Sequence, residues 1–370
     1  MGRNQLRICW LLLTTTLLSG CASFSKGVTQ AFLEHKVEDT RQCWISGRSF
    51  GGLENLYKTE SDLNASDSVQ DKLKVLMVHG IGHHEPGYSR RLQDGLVTES
   101  GFDSTDETIK TIRITHPAYP DSLGILRVHR YINTRQSREM LFFELTWNSI
   151  VENEKKLLSF DNSAEASVKR APFNHTLKTF VNDRVSDALM YNSKYRLPIQ
   201  LSVAQAICWI LSESWENLPN DQESNCSIDR SDYMSQFDSS SFALISHSLG
   251  SRISIDALQE AMHRASEQPN YPLIKEKLRS EPIYFYMLSN QLPLLQLGQD
   301  LPKVHDQLSS VCSPEGDRYD ERFFNRLQIA AFSDPNDLFS YAVTPQYASR
   351  YIDSRLCPSI SNITVQVAQV

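Results

Sequence analysis

Residues 242–251 read FALISHSLGS. An apolar run ends in small and polar residues, Gly250 follows, and then Ile253, Ile255 and Leu258 recur on one side of a helical pattern. The pattern predicts a strand, a sharp turn and a helix, with Ser248 at the apex. A serine there lifts its hydroxyl out of the sheet. The N–H of Leu249, at the helix N-terminus, points to where negative charge develops on an attacked carbonyl oxygen. The chemistry implied is nucleophilic attack. So tight a turn needs small residues two before and two after the serine. Gly250 meets that demand, and Ser246 stands where glycine is more usual. The same spacing also fits a serine-rich helix N-cap with no chemistry, so the surrounding elements must decide.

Two other stretches carry reactive groups. Residues 74–78 (KVLMV) run into His79, Gly80, Ile81, Gly82, His83 and His84. Glycines there let backbone turn sharply and approach a ligand closely. Asp334 and Asp337 follow a late apolar run, residues 326–332. An acid in such a loop can orient a histidine; the alternative is a turn residue before Pro335 and a helix cap. His79, His83, His84 and Glu85 suggest metal ligands by type, but Gly80 and Gly82 oppose the helix their spacing would need. The expectation is no metal and no cofactor.

Taken together, the His-Gly-Ile-Gly turn, the serine elbow and the late acid resemble the α/β-hydrolase fold, over roughly residues 72–370. The resemblance implies that the N–H groups of Ile81 and Leu249 form an oxyanion hole. Losing one such donor typically costs about 100- to 1,000-fold in rate. It further implies Asp337, followed by Leu338 and Phe339, as the acid in preference to Asp334. The chain order agrees: oxyanion loop, serine, acid.

One part of the family's pattern is unmatched. The family's histidine follows the final strand, whereas the last histidine here is His305. A serine hydroxyl without a base is a poor nucleophile. Relatives carrying a further C-terminal loop, a substitute residue, or loss of turnover would each account for this. His83, His84 and His305 are substitutes in principle, while His247 is expected to point to the other side of the turn. None is assigned.

The elements that must position these groups are legible along the chain. Strands are expected over 74–78, 111–115, 140–145, 242–245, 283–288, 326–332 and 362–368, with a helix over 89–99. Residues from about 148 to 215 read as helical, with Pro198 separating two helices. Residues 61–71 and 217–232 are polar and loop-like. Strand–helix alternation predicts an α/β class and a doubly wound, mostly parallel sheet. A helical insertion over about 148–232 would serve as a cap. Helices such as residues 204–211 could cover an acyl or lipid substrate, or be ordinary core helices.

Composition bounds the rest. The chain has 370 residues, 40% hydrophobic and 22% charged, with a net charge of −7, which argues against nucleic acid as a partner. Arg3 and Arg7 precede a short apolar run over 8–18, and small residues end it, as in an export signal. Leu18, Ser19, Gly20 and Cys21 resemble the bacterial lipobox. That resemblance implies removal of residues 1–20 and a lipid on Cys21. Residues 21–71 would then be a tether and N-terminal region. Ala22 suggests the outer membrane, with the domain facing the periplasm. Besides Cys21, Cys43, Cys208, Cys226, Cys312 and Cys357 remain. Cys208 with Cys226 and Cys312 with Cys357 are possible pairs in an oxidising compartment. The function expected is a lipid-anchored serine hydrolase acting on carboxylic esters or lipids. The alternative is a hydrolase-like envelope lipoprotein that binds a partner without turnover.

Overall fold

The computed structural model describes residues 44–57, 71–102, 108–160, 163, 171–226, 240–267, 271–279 and 282–366. Residues 1–20 (expected to be an export leader), Cys21, Cys43 and part of the two polar stretches lie outside these residues. The strands are β1 (Trp44–Gly47), β2 (Asp71–Val78), β3 (Thr108–His116), β4 (Tyr119–Asn133), β5 (Arg138–Thr146), β6 (Gln222–Ser224), β7 (Ser240–His247), β8 (Ile283–Leu288), β9 (Leu327–Ser333) and β10 (Pro358–Gln366). They form one ten-stranded sheet in the order β1-β10-β9-β8-β7-β2-β5-β4-β3-β6. From β10 to β5 every pairing is parallel. β4 runs antiparallel to both β5 and β3, and β1 antiparallel to β10. The class is α/β with a mostly parallel sheet.

The helices are α1 (Arg90–Glu99), α2 (Ser149–Ser159), α3 (Pro172–Phe180), α4 (Ser186–Tyr191), α5 (Arg196–Ser212), α6 (Leu249–Ser266) and α7 (Tyr271–Leu278), with short helices at Leu292–Leu295, Leu308–Cys312 and Pro345–Tyr351. A π-helical turn, Val181–Val185, joins α3 to α4. Among the described residues no helix is long and apolar enough to cross a membrane.

Alternation along the central strands separates two cores. On β2, Leu76 and Val78 join Leu244 of β7, Ile199 and Val203 of α5 and Ile253 of α6. Leu73, Val75 and Met77 point the other way and join Ala243, Ile245 and Val97 of α1. A strand buried on both faces is largely apolar, which is why residues 75–78 and 242–245 read as continuous runs, with Lys74 the buried exception. Each fully buried Val, Leu or Ile contributes roughly 1.5–3 kcal/mol.

One local expectation changes, and one strand is added. Pro198 lies in the first turn of α5 rather than between helices. A first-turn proline sacrifices no intrahelical hydrogen bond, so it marks a start. β4 was not foreseen, because Arg127, His129 and Arg130 interrupt its apolar residues. α5 is apolar almost all round and packs within the core, so residues 204–211 are core helix.

Candidate active site

The parallel register of β2 on β7 places Val78 opposite Ser246. The same offset carries Gly80 level with Ser248 just beyond the two strand ends. Contact there is close. A Cβ on Gly80 would lie 2.7 Å from Ser248 Cβ, 3.0 Å from its Oγ and 2.6 Å from the His247 carbonyl oxygen. A Cβ on Gly250 would lie 2.5 Å from the Val78 carbonyl oxygen and 2.7 Å from that of His79. Both glycines are therefore required by approach of backbone to backbone.

Ser248 links β7 to α6 with φ 55 and ψ −123. A non-glycine residue in that region stores strain of order 1–3 kcal/mol. Its N–H donates to the Leu288 carbonyl at 2.9 Å, which ties the apex to the end of β8. Its side chain is buried, and Oγ has no hydrogen-bond partner among the described residues. Leu249 opens α6, where the first amides have no intrahelical acceptor. Ser246 is fully buried, and its hydroxyl lies 3.0 Å from that of Ser251 in the first turn of α6. The residue in the usual glycine position thus fastens strand to helix.

Ile81 is half-buried and packs on the larger core. The loop carrying it is anchored by its histidines. The Trp147 N–H donates to His79 Nε2 at 3.2 Å, so the ring proton is on Nδ1, which donates to the Gly80 carbonyl at 2.9 Å. The Trp147 indole stacks on this ring and donates from Nε1 to the His79 carbonyl at 3.1 Å. Burial pushes the His79 imidazole well below its ordinary pKa, and His84 and His247 push the same way. His79 is neutral, fully engaged and structural. His84 contacts the Ile81 carbonyl through Nε2 at 3.2 Å, and His83 pairs with Glu85 at 2.5 Å. Their ring nitrogens do not converge, and among the described residues no group of three or more His, Cys, Asp or Glu could hold a metal.

Asp334 and Asp337 sit in the loop after β9, at the same strand-end edge as Ser248. Each binds its own loop. Asp334 Oδ1 accepts the Asn336 N–H at 2.8 Å, and Asp337 Oδ1 accepts the Phe339 N–H at 3.0 Å. Asn290, fully buried after β8, stitches the edge together: its N–H donates to the Phe332 carbonyl and its Nδ2 to that of Tyr341. His305 is elsewhere. It bonds the Pro302 carbonyl, and nearby Lys303 contacts His263 in the last turns of α6, whose first turn holds the elbow.

Two buried acids that the sequence did not single out hold the loop after β2. Glu144, wholly buried on β5, accepts the N–H groups of Gly87 at 2.5 Å and Ser89 at 2.9 Å. A lone carboxylate inside the apolar run 140–145 was the available signal, because a buried charge requires partners. Asp187 of α4 accepts the Gly82 N–H at 2.6 Å. No sequence signal marks it.

Cys208 is disulfide-bonded to Cys226, and Cys312 to Cys357. No protein-family model, curated protein or solved structure matches the chain.

Proposed function

We propose that this chain is a serine hydrolase of the α/β-hydrolase type, held in the bacterial envelope by a lipid on Cys21. On this reading the anchor is the outer membrane and the domain faces the periplasm. Its substrates are carboxylic esters or lipids. Ser248 Oγ bonds to the carbonyl carbon as the carbonyl π bond opens to the oxyanion and the serine proton passes to water, no side chain being bonded to Oγ among the described residues. Asp337 is the acid of this reading. The oxyanion rests on the amides of Ile81 and Leu249. The bond to the alcohol then breaks, the alcohol leaves with a proton, and water repeats the sequence on the acyl-enzyme to restore Ser248.

The observation that carries this reading is the strained Ser248, its hydroxyl unpartnered and pressed against Gly80. Strain of this kind persists where the surrounding structure enforces it, and it concentrates at active sites. Two disulfides fit an exported protein, because oxidising compartments maintain them. Exposed apolar side chains on α2 to α4, including Leu157, Phe173, Leu177 and Leu189, suit an acyl or lipid substrate. Phe180 of α3 meets Phe339 of the acid loop with ring centroids 5.9 Å apart, so these helices reach the strand-end edge.

A fluorophosphonate probe tests the proposal. Wild type is expected to be labelled and Ser248→Ala not; absence of labelling in well-folded wild type overturns it. That second outcome would favour a partner-binding lipoprotein without turnover. The absence of a base bonded to Ser248 Oγ among the described residues is the observation on that side.

A further inference from the structure

The loop bearing Ile81 is held from the helical side by an ion pair. Asp187 is wholly buried, while the Lys155 side chain of α2 is 13% exposed. The Lys155 ammonium lies 2.9 Å from Asp187 Oδ1 and 3.2 Å from Oδ2, and it donates to the Asp183 carbonyl at 2.7 Å. Asp187 Oδ2 accepts the Gly82 N–H at 2.6 Å. Gly82 has φ +102, a conformation an L side chain rarely adopts, so the peptide after Ile81 is already in a selected orientation. The π-helical turn immediately before α4 brings Arg184 alongside: a Cβ on Gly82 would meet its Cζ at 3.7 Å. One carboxylate thereby joins α2, α4 and the turn that follows Ile81.

We propose that Asp187 is a positioning residue: by accepting the Gly82 N–H it fixes the Ile81–Gly82 peptide, and with it the Ile81 amide, against Ser248. It touches no substrate. The inference rests on the reading of Ser248 as nucleophile. Its physical content is that the acceptor matters, while the charge of Asp187 serves to keep Lys155 paired. A misplacement of about 1 Å in a reacting geometry costs on the order of 100-fold in rate, whereas a purely structural ion pair would alter stability alone.

The test compares two double variants of the full chain, D187N/K155M and D187L/K155M. Both remove the ion pair, a change that is often neutral for folding. Only the first keeps an oxygen that can accept from Gly82. Hydrolysis of p-nitrophenyl butyrate and affinity for a trifluoromethyl ketone, whose serine adduct carries an oxyanion, are read well below the melting transition. D187N/K155M is expected to keep kcat within about threefold of wild type. D187L/K155M is expected to lose about 10- to 100-fold in both kcat and ketone affinity, with KM within about threefold. Equal kcat in the two variants, or a loss confined to KM, overturns the proposal while leaving Ser248 as nucleophile. Should either double variant fail to fold, D187N and D187A in the Lys155 background replace them under the same criterion. Wild type that neither hydrolyses the ester nor takes the fluorophosphonate overturns the parent reading instead, and this inference with it.

Discussion

At Ser248 two costs fall on one residue. Its backbone occupies a conformation suited to glycine, and its buried hydroxyl has no partner. Both are removed by Ser248→Gly, which keeps the turn. That variant is expected to be more stable than wild type by about 1 kcal/mol, since the strain relieved exceeds the entropy glycine adds to the unfolded chain. It should also lose all fluorophosphonate labelling. Urea unfolding checks the first expectation and probe gels the second; a variant less stable than wild type would mean the turn is not strained. At this scale the sequence was informative where a residue type is demanded by its own backbone. Ser248, Gly80 and Gly250 stand out because only small residues permit that approach. Asp187 and Glu144 did not stand out, because their role depends on amides contributed by a distant loop. Asp337 was visible as an acid in the loop after β9, and its observed hydrogen bond is to its own Phe339. The sequence order could place it at the edge but not orient its carboxylate.

Strands buried on both faces were readable as apolar runs, and β2, β7, β8 and β9 fall where those runs lie. β4 escaped because a strand two places from the centre can carry charges that find partners, as Arg130 does with Glu139 at 2.6 Å. Element ends carry a pH effect. Lys74 points from β2 into the larger core, where its ammonium donates to the Ile210 and Glu213 carbonyls at the C-terminal end of α5. Burial pushes its pKa down to about 7 from 10.5; Lys72 adds to the shift, and Glu139 and Glu213 oppose it. Between those two values the unfolded chain holds a proton that the folded one has released. Stability therefore rises with pH across that window and falls as pH drops through about 7. The slope is at most about 1.4 kcal/mol per pH unit. In Lys74→Met this pH-dependent part is expected to vanish, so wild type should gain stability relative to the variant from pH 7 to pH 10. Denaturant melts at three pH values measure it, and a constant gap would refute the assignment.

For the molecule as a whole, the two disulfides tie peripheral segments to the core. Cys208–Cys226, with a sequence separation of 18, fastens the end of α5 to the chain after β6. Cys312–Cys357, with a separation of 45, fastens a short helix to the approach to β10. Closing a loop of the smaller size is worth about 3 kcal/mol through the unfolded state. The double replacement of Cys208 and Cys226 by serine is expected to cost about 2–4 kcal/mol while leaving probe labelling at low temperature intact. Thermal melts with and without reductant check it; unchanged melting in reductant would show that the bridges do not constrain the unfolded chain. The seam between β2 and β7 has a different bearing. Gly80 abuts the His247 carbonyl and the Ser248 side chain, and Gly250 the Val78 and His79 carbonyls, so neither position has room for a larger residue. Substitutions of the exposed apolar residues of α2 to α4, such as Leu157 and Leu189, therefore leave this seam unchanged. On the proposal that Ser248 is the nucleophile, the seam would then set the chemistry and the helices the selectivity, and the two would diverge at separate rates.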